Sequence, residues 1–128
     1  MKKTIFSIQQ HKQKGNKIHW DLRILNPGND IWAWSWALPK MRFPNVGERL
    51  LAVRVADHRR SYMHFQGRLD NGDVVTLHDS GDATIYKYEK NTIYVSFEGK
   101  VEKGFYILIR TNGDNWIIIG SENTNLMM

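Results

Sequence analysis

The stretch Lys17-Ile18-His19-Trp20-Asp21-Leu22-Arg23-Ile24 alternates strictly between two kinds of side chain. Successive side chains of an extended strand point to opposite faces. Ile18, Trp20, Leu22 and Ile24 then share a packing face, and His19, Asp21 and Arg23 share the other. The polar three stand about 7 Å apart at a rise of roughly 3.3 Å per residue. An imidazole and a carboxylate can share a divalent metal ion, and a guanidinium can clamp a phosphate oxygen through two N–H groups. A half-buried strand with a solvated polar face shows the same alternation, so the stretch by itself leaves both readings open.

Short strand patterns continue on both sides. Thr4–Gln9 reads as a strand, and His11–Lys17 as a polar loop with a turn at Gly15-Asn16. After the turn Asn26-Pro27-Gly28-Asn29-Asp30, Ile31–Leu38 places Trp32, Trp34 and Trp36 on one face and Ala33, Ser35 and Ala37 on the other. Leu50–Val55 is an apolar strand, Ala56–Ser61 a polar segment able to turn once as helix, and Tyr62–Leu69 a weaker strand. Turn signals follow at Asp70-Asn71-Gly72-Asp73, Ser80-Gly81-Asp82, Glu89-Lys90-Asn91 and Asn112-Gly113-Asp114. About nine or ten short strands with no long amphipathic helix predict an all-β fold. The expected architecture is a small closed or nearly closed antiparallel β-barrel with short helical turns.

A chain of 128 residues with 41% hydrophobic and 12% aromatic content has the make-up of one folded domain. It has no apolar run near the roughly 20 residues that cross a bilayer, and no signal-peptide core, so an intracellular, cytoplasmic protein is expected. Without cysteine there are no disulfides or thiolate metal sites, and any metal must be held by His, Asp or Glu. The net charge of +5 favours a polyanionic partner such as nucleic acid.

Five blocks, in order, resemble a known family. They are His11 with His19-Trp20-Asp21-Leu22-Arg23; Ser35-Trp36-Ala37-Leu38-Pro39-Lys40; Leu51-Ala52-Val53-Arg54-Val55-Ala56-Asp57-His58 with Tyr62; Phe65-Gln66-Gly67; and Glu98-Gly99-Lys100 with Gly104-Phe105, Ile109-Arg110-Thr111 and Gly113-Asp114-Asn115-Trp116. The chain resembles the 3′-phosphoesterase domain of bacterial DNA ligase D and its stand-alone archaeal and bacterial relatives. The resemblance spans residues 6–119. It implies one such β-barrel domain over residues 1–120, with 121–128 as a C-terminal tail, and an active site on the concave face of the barrel. It implies a metal-dependent enzyme that trims 3′ ends of DNA or RNA–DNA strands in break repair and non-homologous end joining. Such an enzyme removes a terminal ribonucleoside and can then remove the remaining 3′-phosphate. By position, the metal ligands fall on His11, His19 and Asp21, and the catalytic and phosphate-contacting groups on Arg23, Lys40, His58 and Tyr62. Manganese is the expected ion, with zinc or cobalt as alternatives. A DNA ligase and a polymerase are the implied partners, and a monomer is expected.

The chain departs from the family pattern in places. Seven residues separate His11 from His19, about two more than is usual, so His11 must swing in from a preceding loop. The family has an arginine where Leu50 stands and a glutamate where Ala56 stands; Arg49 is one residue off, and Arg54 shares the parity of Leu50 and could reach the vacated space. These losses weigh more against 3′-phosphate removal than against diester cleavage.

The residue chemistry bears on each role. Two imidazoles and a carboxylate suit manganese, zinc or iron(II), with positions left for water and a phosphate oxygen. Arg23 has the parity to neutralise phosphate charge in the transition state. His58 and Tyr62, four residues apart, would share a face on a helical turn, where the imidazole could protonate a leaving oxygen or bind phosphate. Three tryptophans on one strand face fill a barrel interior more often than they stack bases, with Trp32 at the strand end as the exception. Two rivals use the same residues: a non-catalytic basic barrel binding single-stranded nucleic acid ends, and a small-ligand barrel built on the tryptophans.

Overall fold

The structure, a computed structural model, describes residues 1–122. Nine strands run in chain order: β1 (Lys2–Lys12), β2 (Ile18–Leu25), β3 (Trp32–Leu38), β4 (Arg49–Arg59), β5 (Gly67–Arg68), β6 (Val74–Glu89), β7 (Thr92–Gly99), β8 (Lys103–Asn112) and β9 (Asn115–Ser121). A single 3₁₀ turn, Arg60–Tyr62, follows β4. Eight strands pair antiparallel in the order β1-β2-β3-β4-β9-β8-β7-β6, and β6 returns to β1, closing the barrel. The two-residue β5 rides on the start of β6. The tail expected over 121–128 begins with Ser121 still in β9, and 123–128 lie outside the described residues.

The alternation read in the sequence sorts the side chains as expected. Trp20, Leu22 and Ile24 of β2, Trp34, Trp36 and Leu38 of β3, and Ile93, Val95 and Phe97 of β7 fill the lumen. Trp36 meets Trp116 edge-on at 5.5 Å, and Trp34 stacks on Tyr88 at 4.8 Å. Trp32 is the exposed exception and lies 5.1 Å from the Arg59 guanidinium. Phe43, from the β3–β4 connection, plugs the lumen against Tyr106 (4.9 Å) and Phe97 (5.4 Å). That connection is clipped by Arg42, whose guanidinium donates to both Glu48 carboxylate oxygens at 2.7 and 2.6 Å.

Three local expectations are corrected. The His11 loop does not exist as such: β1 extends through Lys12, so His11 stands directly across from His19. The extra residues bulge outward in a closed turn, held by Gln13 N–H donating to Lys17 O (2.7 Å) and by positive φ at Gly15 and Asn16. Ser80-Gly81-Asp82 is no turn but the middle of the 16-residue β6. Gly81 is needed there for close approach, since a Cβ would sit 2.2 Å from the Glu98 carbonyl oxygen. The helical turn open to Ala56–Ser61 forms only at its end: the chain stays strand to Arg59, and the 3₁₀ turn is Arg60–Tyr62.

The outward face of β1–β3 is unusual for a barrel wall. Ser7, Gln9, Asp21, Arg23 and Ser35 point away from the lumen yet are buried. Two anchors fold the segment after β4 back over this wall. Met63 packs with Leu25 and Ala33. The Gln9 amide donates to the carbonyls of Tyr62 (2.8 Å) and Phe65 (3.0 Å).

Two outcomes follow. Gln9→Ala strips both carbonyls of their buried donor and should cost about 1–3 kcal/mol, read by urea denaturation, with faster amide exchange over residues 62–66. The Arg42 guanidinium, and then the Asn45 amide, hold the Glu48 carboxyl down to about 2 from an ordinary 4.5. A carboxyl with a depressed folded-state pKa stabilises the fold above its unfolded value and loses that contribution as pH falls. Glu48→Gln should therefore remove the part of the acid limb of stability between pH 4.5 and about 2, as seen in melting temperature against pH.

Candidate active site

β-sheet register assembles the site on the outward wall. In the β1–β2 pair, His11 faces His19, Gln9 faces Asp21 and Ser7 faces Arg23. In the β2–β3 pair, Asp21 faces Ala37 and Arg23 faces Ser35. The small residues Ala33, Ser35 and Ala37, which back the tryptophans on β3, leave room for the long Arg23 side chain to lie across the wall.

His11, His19 and Asp21 converge. One ligand atom from each, a ring nitrogen or a carboxylate oxygen, lies within 4.8 Å of the others. His19 Nε2 is 3.2 Å from Asp21 Oδ1, and His11 Nδ1 is 3.5 Å from Asp21 Oδ2. Burial works against the Asp21 charge, but the His19 hydrogen bond and the Arg23 and His11 charges outweigh it and hold the carboxyl below the usual range. The same hydrogen bond raises His19 above its ordinary value. Two neutral imidazole nitrogens and a carboxylate are a donor set fit for a divalent ion, and these three residues could hold one.

Arg23 is the polar hub beside them. Its Nε donates to Gln9 Oε1 at 2.5 Å and its Nη1 to Ser35 Oγ at 2.8 Å. Nη1 also lies 3.1 Å from His58 Nδ1, Nη2 lies 3.6 Å from Asp21 Oδ2, and the guanidinium sits 5.1 Å from the Tyr62 ring centre. The Tyr62 ring is 5.0 Å from that of His58 and stacks on Phe65 at 5.2 Å. Burial, then the Arg23 charge, lowers the His58 pKa. His58 Nδ1 also lies 3.1 Å from the Ala56 carbonyl oxygen, so that ring nitrogen is held between a donor and an acceptor and Nε2 is left free of both.

His58 reaches this wall through a β-bulge. Ala33 pairs with His58 but Ser35 with Val55, so Trp34 alone spans Ala56-Asp57. The extra residue reverses the parity of β4. Leu50 and Ala52 turn toward the lumen, whereas His58 turns outward. Arg54 therefore does not fill the space expected of it. Its guanidinium donates to the carbonyls of Ser35 (3.1 Å) and Val55 (3.0 Å) and to Asp57 (2.8 Å), over the Trp36 ring. It holds the bulge. Arg49 pairs opposite Ile119, away from the cluster. Lys40 is exposed just past β3 and, among the described residues, has no hydrogen bond or ion pair with this group.

Six of the seven expected residues thus come together: His11, His19, Asp21, Arg23, His58 and Tyr62. The sequence reading missed Gln9, Ser35 and Asp73. Gln9 shares the parity of His11 two residues on, a signal that was legible. Asp73, whose Oδ2 lies 2.8 Å from His11 Nε2, comes from a distant hairpin and has no local signal.

No helix among the described residues is long and apolar enough to cross a membrane. No curated protein matches the chain significantly. The family model described as the DNA ligase D 3′-phosphoesterase domain matches residues 9–110, a span that contains all seven expected site residues. This family suggests 3′-end processing in repair, a hydrolase acting on phosphoester bonds and nucleic-acid 3′ ends as substrate. The chain belongs to the DNA ligase D 3′-phosphoesterase domain family.

Proposed function

We propose that this protein is a metal-dependent 3′-end phosphoesterase. It removes a 3′-terminal ribonucleoside from DNA or RNA–DNA strands by phosphodiester cleavage and acts more weakly on the 3′-phosphate left behind. The observation that carries the reading is the convergence of His11, His19 and Asp21 beside the buried Arg23, on one wall of a barrel of this family.

A divalent ion held by those three residues, manganese first and zinc or cobalt as alternatives, would supply Lewis acidity to a phosphate oxygen and an acidified water. The chain's own groups do the rest. Arg23, fixed through Nε and Nη1, keeps Nη2 directed at the Asp21 side of the site, where it can donate to a phosphate oxygen that gains charge. Because these contacts are made before substrate arrives, little reorganisation accompanies the reaction. His58, its Nδ1 held between the Arg23 guanidinium and the Ala56 carbonyl, keeps Nε2 available to protonate a leaving oxygen or to bind phosphate. Tyr62 walls the pair and restricts water. Lys40, exposed just past β3, contributes positive charge toward the substrate strand's phosphates. With Leu50 turned to the lumen and only a methyl at Ala56, the wall lacks an arginine and a glutamate of the family pattern, which supports diester over monoester cleavage. The reading sets the protein in the cytoplasm, as a monomer working with a DNA ligase and a polymerase of end joining.

The test is manganese-dependent release of nucleoside from a DNA primer ending in one ribonucleotide. His19→Ala and Asp21→Ala should lose at least about 100-fold in rate, beyond the loss typical of outer-sphere partners, and Arg23→Ala about 10²–10³-fold. Full activity in either ligand variant overturns the assignment. Salt-sensitive strand binding that chelator leaves unchanged, without cleavage in any divalent metal, would instead identify a non-catalytic nucleic-acid-binding barrel.

A further inference from the structure

His11 has two ring nitrogens with different neighbours. Nδ1 faces the cluster, 3.5 Å from Asp21 Oδ2. Nε2 faces away from it and meets Asp73 Oδ2 at 2.8 Å. Asp73 is buried at the head of β6 and is itself held on three sides. Its Oδ1 accepts the Lys14 N–H at 3.0 Å, and its own N–H donates to Asn71 Oδ1 at 2.9 Å. The Leu69 N–H closes the same turn on the Asp73 carbonyl at 2.8 Å. The carboxylate thus joins its own β5–β6 turn to the β1–β2 hairpin, which it meets at the Lys14 N–H and at the His11 ring.

Donor and acceptor chemistry decides what this contact does. An ionised carboxylate only accepts, and Asp73 receives the Lys14 N–H at Oδ1 and meets the His11 ring at Oδ2. Nε2 of His11 must therefore carry a hydrogen, and the neutral ring that binds a metal then offers its lone pair at Nδ1. The two nitrogens diverge across a rigid ring, so a group that binds Nδ1 stands on the far side of the imidazole from Asp73. Among the described residues, the donor group of mutually close atoms is His11, His19 and Asp21, without Asp73.

We propose that Asp73 is a positioning residue for the metal site: it fixes the tautomer and ring orientation of His11, so that His11 binds through Nδ1 while His19 binds through Nε2. A carboxylate behind a ligating imidazole is a recurrent arrangement that orients the ring and raises its basicity. Here it also accounts for the longer connection between His11 and His19. The extra residues are pinned, through Lys14 N–H, by the same carboxylate that sets His11. The inference rests on the metal reading above and adds to it which nitrogen binds and which outer residue controls it.

The experiment measures manganese affinity by electron paramagnetic resonance of the free ion, with no turnover involved. It compares the full chain with Asp73→Ala, Asp73→Asn and Asn71→Ala. Asp73→Ala should weaken binding about 10–100-fold. Asp73→Asn, whose amide oxygen still accepts from Nε2–H, should lose less and serves if the alanine variant does not fold. Asn71→Ala removes a turn hydrogen bond without touching His11 and should lose far less affinity than Asp73→Ala. Long-range ¹⁵N correlation of the metal-free protein should show His11 as the Nε2–H tautomer, and a tautomer mixture in Asp73→Ala. Unchanged affinity in Asp73→Ala, an Nδ1–H tautomer in the wild type, or an equal loss in Asn71→Ala overturns the proposal and leaves the metal reading standing. A wild-type protein that binds no manganese overturns both.

Discussion

The structure depends on satisfying one guanidinium taken out of water. Arg23 is only 3% exposed, on a barrel wall where side chains normally meet solvent. A buried charge is costly unless its hydrogen bonds are made, and removing one partner leaves it uncompensated. Each neighbour answers that demand. Gln9 offers its oxygen to Nε, Ser35 its hydroxyl to Nη1, His58 a ring nitrogen, and Asp21 the opposite charge. Gln9 then spends its amide nitrogen on the segment that covers the wall, so the polar network and the cover are one construction. A lysine, with a single flexible ammonium, could not hold this fork of contacts.

The two faces of β3 show how the lumen and the site constrain each other. Large indoles fill the barrel on one side, and the residues between them are alanine and serine. That choice lowers the floor beneath Arg23. Had β3 carried branched residues outward, the guanidinium would have been pushed off the wall and away from Asp21. Packing inside and chemistry outside are thus set by the same seven residues.

Much of this was legible in the chain. Period-two alternation in Lys17–Ile24 and in the tryptophan strand, with glycine- and asparagine-rich turns between short runs, led to the closed all-β barrel. It also led to the shared face of His19, Asp21 and Arg23, and the family blocks added His11, His58 and Tyr62. What failed depended on register or on distance. A bulge adds one residue and inverts every parity beyond it, so counting from Leu50 sent Arg54 toward the site, when it lies over Trp36 and His58 turns the other way. A polar run after Gln9 resembled a loop because strand pairing, not hydrophobicity, extends β1 to Lys12. Gly81 resembled a turn because glycine marks both bends and close backbone contact, and only the neighbouring strand distinguishes them. Asp73 depends on two hairpins meeting, and single-strand periodicity carries no trace of that.

The seam where β6 meets β1 has a kinetic meaning. It places Lys2 opposite Ile85 and His11 opposite Val75, contacts far apart along the chain, whereas the other barrel seams except β4–β9 join strands adjacent in sequence. Closing long loops loses chain entropy before any contact is gained, and folds that rely on such closure form slowly. His11, His19 and Asp21 belong to one hairpin and can meet early. The carboxylate behind His11 arrives only when the seam shuts. The contact between Asp73 and His11 thus reports that the barrel has closed.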